Sequence, residues 1–213
     1  MTTTEAPSHR VRLPLESGDR LTRAEFERRY ACHPDIKKAE LIEGVVYVAS
    51  PVRILRHAQP HGFITGWLGT YAAQTPGVLL GDNGTIRLDQ DNEPQPDAFL
   101  AWDAAHGGQS RVDDDDYLEG APELIVEVAA SSAAYDLHDK LRAYRRNQVQ
   151  EYVVWQILEN RVDWFRLREG EYIPLKPDRR GVIESEVFPG LKLNVRALLK
   201  GDIKAVLAEI SHP

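Results

Sequence analysis

Apolar and polar positions divide the chain into a short series of elements. Thr22 stands three residues before Glu25, a capping-box pair. It predicts a short helix through Phe26 and Tyr30 that stops before Pro34. Glu40–Ser50 predicts two strands turning at Glu43-Gly44, and the second arm, Val45–Val48, is β-branched and aromatic. From His61 the period changes. Ile64, Trp67, Leu68 and Tyr71 fall on one face of a helix that ends at Pro76-Gly77. Val78–Leu80, Thr85–Leu88 and Asp97–Trp102 predict strands, with Asp89–Pro94 as a turn and residues 103–122 as loop. Leu124–Ala129 (LIVEVA) is an apolar run broken only by Glu127, the pattern of a central strand buried on both faces. A helix over 134–148 follows, with Leu137, Leu141 and Tyr144 as its apolar stripe. Tyr152–Leu158 and Val162–Leu167 predict strands, Val187–Leu193 a late strand, and Val195–Ile210 a C-terminal helix.

This order predicts a mixed α/β (α+β) fold, with a mixed central sheet flanked by helices. No regular βαβ repeat supports a doubly wound or barrel fold. Residues 1–20, polar with scattered Pro and Gly, predict a flexible N-terminal arm, and 21–213 a single domain.

Charge and composition then exclude several function classes. Lys plus Arg is 26 against 33 for Asp plus Glu, a net charge of -7. A chain-wide cationic coat for nucleic acid is excluded; a local basic strip is not. One cysteine, Cys32, allows neither an internal disulfide nor a cysteine zinc site. No apolar run approaches the roughly 18–20 residues of a membrane span. MTTTEAPSHR lacks the apolar stretch of a secretory signal, so a cytoplasmic location is expected. Gly-rich phosphate loops, His-Glu-x-x-His and Gly-x-Ser-x-Gly are absent. The run Asp113–Asp116 lacks the spacing and glycine of a calcium loop and reads as a solvated loop.

Three residues carry candidate chemistry. Glu127 sits inside the most hydrophobic strand, where an ionised carboxylate must be paired, protonated, at the strand end or metal-bound. Asp97 follows Pro96 and opens an apolar strand. Acids at the head of one strand and inside its neighbour can converge on a hard cation, and Mg²⁺ asks for one or two carboxylates plus waters. Lys140 lies four residues after Asp136 on the helix following the Glu127 strand. It flanks the apolar stripe about 60° from Leu137, and from there a lysine can reach over the sheet edge.

Further pieces keep a fixed order: Glu40-Leu41-Ile42-Glu43-Gly44, then Ser50-Pro51 followed by a histidine and an amphipathic helix, then Pro96-Asp97. Pro122-Glu123-Leu124-Ile125-Val126-Glu127-Val128, Ser131-Ser132, Asp136…Lys140…Tyr144, Glu151-Tyr152-Val153-Val154-Trp155 and Phe188-Pro189-Gly190-Leu191 complete the series. In this order they resemble the Uma2 family (DUF820), a branch of the PD-(D/E)XK restriction-endonuclease-like superfamily. The resemblance runs from about residue 20 to about residue 200. It implies a restriction-endonuclease-like core and a metal-dependent endonuclease that hydrolyses DNA phosphodiester bonds. Asp97 takes the place of the PD aspartate and Glu127 that of the (D/E)XK acid, together holding Mg²⁺ or Mn²⁺. Position 129 is alanine where that motif has lysine, and the resemblance moves the lysine to Lys140. Glu40 matches the hairpin glutamate of the family, while Glu43 would point to the opposite face. The histidine is His57 by its distance from Ser50-Pro51, or His61 by register with the helix. His61 is preferred, which makes the catalytic set Asp97, Glu127, Lys140, Glu40 and His61. For nucleic-acid binding the first candidates are Arg142, Arg145 and Arg146 beside Lys140, followed by Arg179-Arg180 and by Arg53 with Arg56. The resemblance also implies a homodimer. The alternative is an inactive nuclease-fold module that binds nucleic acid or protein, which the acidic charge and displaced lysine favour.

Overall fold

In the computed structural model, residues 13–51 and 53–210 are described. Helix α1 (Arg23–Tyr30) precedes an antiparallel hairpin of β1 (Ala39–Ile42) and β2 (Val45–Val48). Its two-residue turn places Glu43 at φ 52° and Gly44 at φ 72°, the left-handed pair that matches the twist of a hairpin. A π-helical turn (Ile54–Ala58) runs into α2 (Gln59–Ala72), whose start carries Pro60. Then come β3 (Val78–Asp82), β4 (Ile86–Arg87), β5 (Ala98–Trp102), β6 (Arg111–Val112), β7 (Leu118–Glu119) and β8 (Leu124–Ala129). The crossover after β8 is α3 (Ala133–Tyr135), a π-helical turn (Asp136–Lys140) and α4 (Leu141–Arg146). It leads to β9 (Glu151–Gln156), β10 (Arg161–Arg168), β11 (Glu171–Pro174), β12 (Val182–Glu184), β13 (Lys192–Asn194), α5 (Val195–Leu199) and α6 (Ile203–Leu207).

The central sheet has six strands in the order β11-β10-β9-β8-β5-β3. Its neighbours are antiparallel except β8 and β9, which run parallel because the helical crossover lies between them. The fold is therefore the mixed sheet with flanking helices that the pattern predicts. All six residues of β8 are buried. One face presents Leu124, Val126 and Val128, with Leu100, Val153 and Trp155, to Ile64, Trp67, Leu68 and Tyr71 of α2. The other presents Ile125 and Ala129, with Phe99, Ala101, Tyr152 and Val154, to Tyr144 of the crossover. Trp67 fixes α2 further by donating its indole N–H to the Lys192 carbonyl at 2.8 Å.

Several local expectations change. Thr22 stands at the start of α1 but makes no capping hydrogen bond; burial of Phe26 anchors the helix instead. The expected strand 187–193 is a turn through Pro189-Gly190, with β13 beginning only at Lys192. The C-terminal helix breaks into α5 and α6 at Gly201, whose φ is 74°. The expected loop 103–122 carries β6 and β7, which form a small sheet with β4. The described part of the expected arm packs on the hairpin. Leu15 is buried, Gly18 donates to the Val46 carbonyl at 2.9 Å, and Arg20 bridges Val45. Residues 1–12 lie outside the described residues. Among the described residues no helix is long and apolar enough to cross a membrane.

Candidate active site

Strand register brings the two acids together. Ala98 pairs with Val126 and Phe99 with Ile125, and continuing that antiparallel register sets Asp97 opposite Glu127. Alternation puts both side chains on the face of Phe99 and Ile125, toward the crossover helix. Asp97 Oδ2 accepts the Val128 N–H at 2.8 Å, which ties the head of β5 to β8. The segment before Asp97, residues 92–97, is buried throughout. It runs beside β1, where Leu41 and Glu93 exchange backbone hydrogen bonds of 3.1 and 2.7 Å. Gln95 N–H then donates to Glu40 Oε1 at 2.8 Å, so the hairpin acid joins the same site.

Lys140 is the centre of the cluster. Its Nζ lies 2.7 Å from Glu127 Oε1, 2.9 Å from Glu40 Oε1 and 3.9 Å from Asp136 Oδ1. Tyr144, one turn on, donates its hydroxyl to Glu127 Oε1 at 2.9 Å. Lys140 is 2% exposed, Glu127 3% and Glu40 7%, so these contacts are shielded from water. The lysine is thus not on the flank of its helix, as regular α-helical geometry predicts. The π-turn Asp136–Lys140 widens the helix locally and turns both of its ends, Asp136 and Lys140, toward the sheet. Burial opposes the ammonium charge, but Glu127 and Glu40 outweigh it and hold the Lys140 pKa well above the usual lysine range. Burial pushes Glu127 up to about 8, with Lys140 pulling the other way and Asp97 adding to the rise. Asp136 is raised to about 6, again mainly by burial.

Asp97 behaves differently. Burial works against its ionisation, yet His57 and Lys38 hold its carboxyl well below the usual carboxylate range. His57 Nε2 lies 3.3 Å from Asp97 Oδ1, and Lys38 Nζ 3.6 Å from the same oxygen. The other ring nitrogen, Nδ1, faces the Val128 carbonyl at 3.2 Å and must donate to it, since a carbonyl only accepts. With an acceptor on each side the imidazole favours its doubly protonated form, and the Asp97 contact raises its pKa. His61 occupies another position. Its Nε2 sits 2.9 Å from the Asp97 backbone carbonyl and 3.0 Å from Asp82 Oδ1, away from the carboxylate. The structure brings Asp97, Glu127, Lys140 and Glu40 together and puts His57, not His61, against them. These groups line a cleft of about 860 Å³.

Residues 23–196 match the family Uma2, described as "Putative restriction endonuclease". The chain belongs to the Uma2 family. A solved structure titled as a putative nuclease belonging to DUF820, from Anabaena variabilis ATCC 29413, superposes with a TM-score of 0.59 at 13% identity. The match covers 76% of this chain and 89% of that one, and shows that the two share a fold. No curated protein matches.

The three arginines expected to bind nucleic acid in this Uma2 chain are engaged by neighbouring acids. Arg142 pairs with Asp139, Arg145 with Glu171, and Arg146 with Glu43 and Asp89. Sequence reasoning missed Lys38 and Tyr144 as site residues. Tyr144 carried a signal, its four-residue spacing from Lys140, whereas nothing in the sequence joins Lys38 to Asp97. As a cation site, the donor set is two hard carboxylates on adjacent strands. Glu127 leaves Oε2 with no hydrogen bond among the described residues, although it lines the cleft. No three metal-ligating side chains converge among the described residues. Two carboxylates completed by water or phosphate oxygens suit Mg²⁺ or Mn²⁺, so the residues fit the group.

Proposed function

We propose that this Uma2 protein is a Mg²⁺- or Mn²⁺-dependent endonuclease that hydrolyses DNA phosphodiester bonds in the cleft of Asp97, Glu127 and Lys140. One observation carries the reading: Lys140 Nζ is held 2.7 Å from a strand-borne carboxylate that faces a second acid across the same sheet. Asp97 and Glu127 would hold the cation, which supplies Lewis acidity toward a phosphate and acidifies a bound water. The chain's own groups do the rest. Lys140 and Tyr144 fix Glu127 Oε1 and leave Oε2 to the cleft. Glu40, held by Gln95 N–H, keeps the lysine from swinging away. Lys140 also provides positive charge where the phosphoryl oxygens gain negative charge. His57 keeps Asp97 ionised and carries a proton beside the open cleft. A double-strand cut by one assembly calls for two copies of the chain, and light scattering measures that number.

The second reading, a nuclease fold retained for binding alone, is favoured by the two carboxylates already paired with Lys140. Plasmid nicking at low salt with Mg²⁺ or Mn²⁺ separates the two. Wild type nicks and Asp97→Asn does not, while the asparagine Oδ1 still accepts the Val128 N–H and keeps the fold. Equal nicking by both proteins would sink the assignment. No nicking by wild type, with no Mn²⁺ heat in titration calorimetry, would leave the binding module.

A further inference from the structure

Large aliphatic side chains are left exposed in and beside the cleft. Leu55 at 73%, Ile54 at 70% and Leu158 at 55% are the most exposed large hydrophobic residues among those described. Leu158 lines the cleft of the candidate active site, and Ile54 and Leu55 stand in sequence between Arg53 and Arg56, which line it too. Leu158 lines the cleft from the turn after β9, which is tied to the end of β8 by the Ile157 N–H on the Ala129 carbonyl at 2.8 Å. Ile54 and Leu55 open the π-helical turn and point to solvent between Arg53 and Arg56, the two residues of this stretch that line the cleft beside His57. Neighbouring large aliphatics left in water at a functional opening mark a contact surface rather than a packing need.

The two arginines decide what the contact is. Arg53 and Arg56 are exposed and make no ion pair among the described residues. Arg142, Arg145 and Arg146, by contrast, each face an acid. The next residue, His57, turns inward to Asp97, so this single turn runs from the solvent edge to the proposed catalytic acid. Two uncommitted guanidinium groups framing two aliphatic side chains match a chain of phosphates with apolar base faces between them. Apolar side chains of this kind act as wedges between base steps, and arginines beside them take the flanking phosphates.

We infer that Arg53-Ile54-Leu55-Arg56 is the edge that grips and unstacks the substrate strand: the arginines hold phosphates beside the cut, and Ile54 and Leu55 lodge against bases displaced from the stack. The preferred substrate is then DNA with unpaired or easily unstacked bases next to the cleavage point. This rests on the nuclease reading above.

The test is fluorescence anisotropy of the full chain on labelled 20-nucleotide duplexes, with and without three central unpaired bases, in Ca²⁺ across a salt series. A 2-aminopurine at the unpaired site reports unstacking. Wild type binds the distorted duplex at least tenfold more tightly and brightens the 2-aminopurine. Ile54→Ser/Leu55→Ser loses both the preference and the brightening but keeps the salt slope. Arg53→Ala/Arg56→Ala weakens both duplexes alike and lowers the slope of log affinity against log salt by about 2, close to one unit per phosphate contact. Arg142→Ala/Arg145→Ala changes neither. Equal binding of the two duplexes by wild type overturns the inference. So does wild-type behaviour of both quartet variants while metal-dependent nicking persists, and that outcome leaves the nuclease reading standing. A dimer that dissociates on Ile54→Ser/Leu55→Ser would assign the aliphatics to a second copy of the chain and also overturn it. A wild type that neither binds nor nicks any DNA removes the nuclease reading and this inference with it.

Discussion

Lys140 shows how much one side chain can hold. Its ammonium group is the counter-charge for Glu127 and Glu40, and all three are buried. Removing one partner of a buried pair leaves an uncompensated charge, at a cost of about 3–5 kcal/mol. Lys140→Met is therefore expected to lower unfolding free energy by that amount in urea titrations and to abolish nicking. An unchanged urea midpoint would mean that Glu127 and Glu40 take up protons of their own when the lysine is gone. Glu93 makes a pH prediction away from the site. Its Oε2 is buried and has no hydrogen-bond partner among the described residues. Burial, with the Glu27 carboxyl adding to it, raises its pKa from 4.5 to about 8. The folded chain thus keeps a proton that the unfolded chain releases above pH 4.5. Stability is lost as pH rises from about 4.5 to about 8. Glu93→Gln cannot titrate, so it should gain on the order of 4 kcal/mol over wild type at pH 8 and little at pH 4.5. Parallel unfolding curves at the two pH values check this, and an equal difference at both would refute it.

Among the elements, the crossover helix matters most, because its irregularity places the chemistry. A regular α-helix through 134–148 would leave Lys140 beside the apolar stripe. The π-turn at Asp136–Lys140 brings Asp136 and Lys140 inward while Leu141 and Tyr144 still pack on the sheet. His138 is the exposed residue of that turn. Deleting it should restore a regular helix and rotate Lys140 and Tyr144 together, by about 100°, relative to Asp136 and the end of β8. The expected outcome is more than about tenfold slower nicking, with far-UV circular dichroism retaining its helical signal. Full activity in that deletion would show that the wider turn does not position the lysine. The hairpin contributes in the same geometric way. Its left-handed Glu43-Gly44 turn lets Glu40 face the site while Glu43 reaches Arg146 on the outside.

At the scale of the whole molecule, one six-stranded sheet separates two jobs. Its α2 face is apolar packing, with Trp67 meeting Trp164 edge to face at 5.8 Å between ring centroids. The crossover face carries Asp97 and Glu127. Trp67→Ala should cost about 3–5 kcal/mol by loss of core volume, read as a lower urea midpoint. Because Trp67 packs on the face of β8 opposite Glu127, nicking under native conditions should remain within about threefold of wild type once the folded fraction is accounted for. A larger loss of turnover in fully folded protein would show that the two faces are coupled.

The sequence alone determined the elements with a clear period: the buried β8, the amphipathic α2, the β1–β2 hairpin and the strand that becomes β9; that β9 runs parallel to β8 came from the structure. Binary pattern and turn chemistry are local, so they are legible residue by residue. The same pattern made Glu127 conspicuous, because a carboxylate inside an apolar strand needs a partner. Only the tertiary structure decided which partner. The antiparallel register of β5 on β8 sets Asp97 opposite Glu127, the π-turn brings Lys140 beneath it, and the buried run 92–97 delivers Glu40 through Gln95. It also set His57 rather than His61 against the Asp97 carboxylate, since which histidine reaches it depends on where a wider turn joins α2. Likewise, the basic stripe of α4 looks available in sequence, yet Arg145 pairs with Glu171 and Arg146 with Glu43 and Asp89 across space. Ion pairs and strand registers join residues far apart in the chain, and no local pattern encodes a distance that only folding closes.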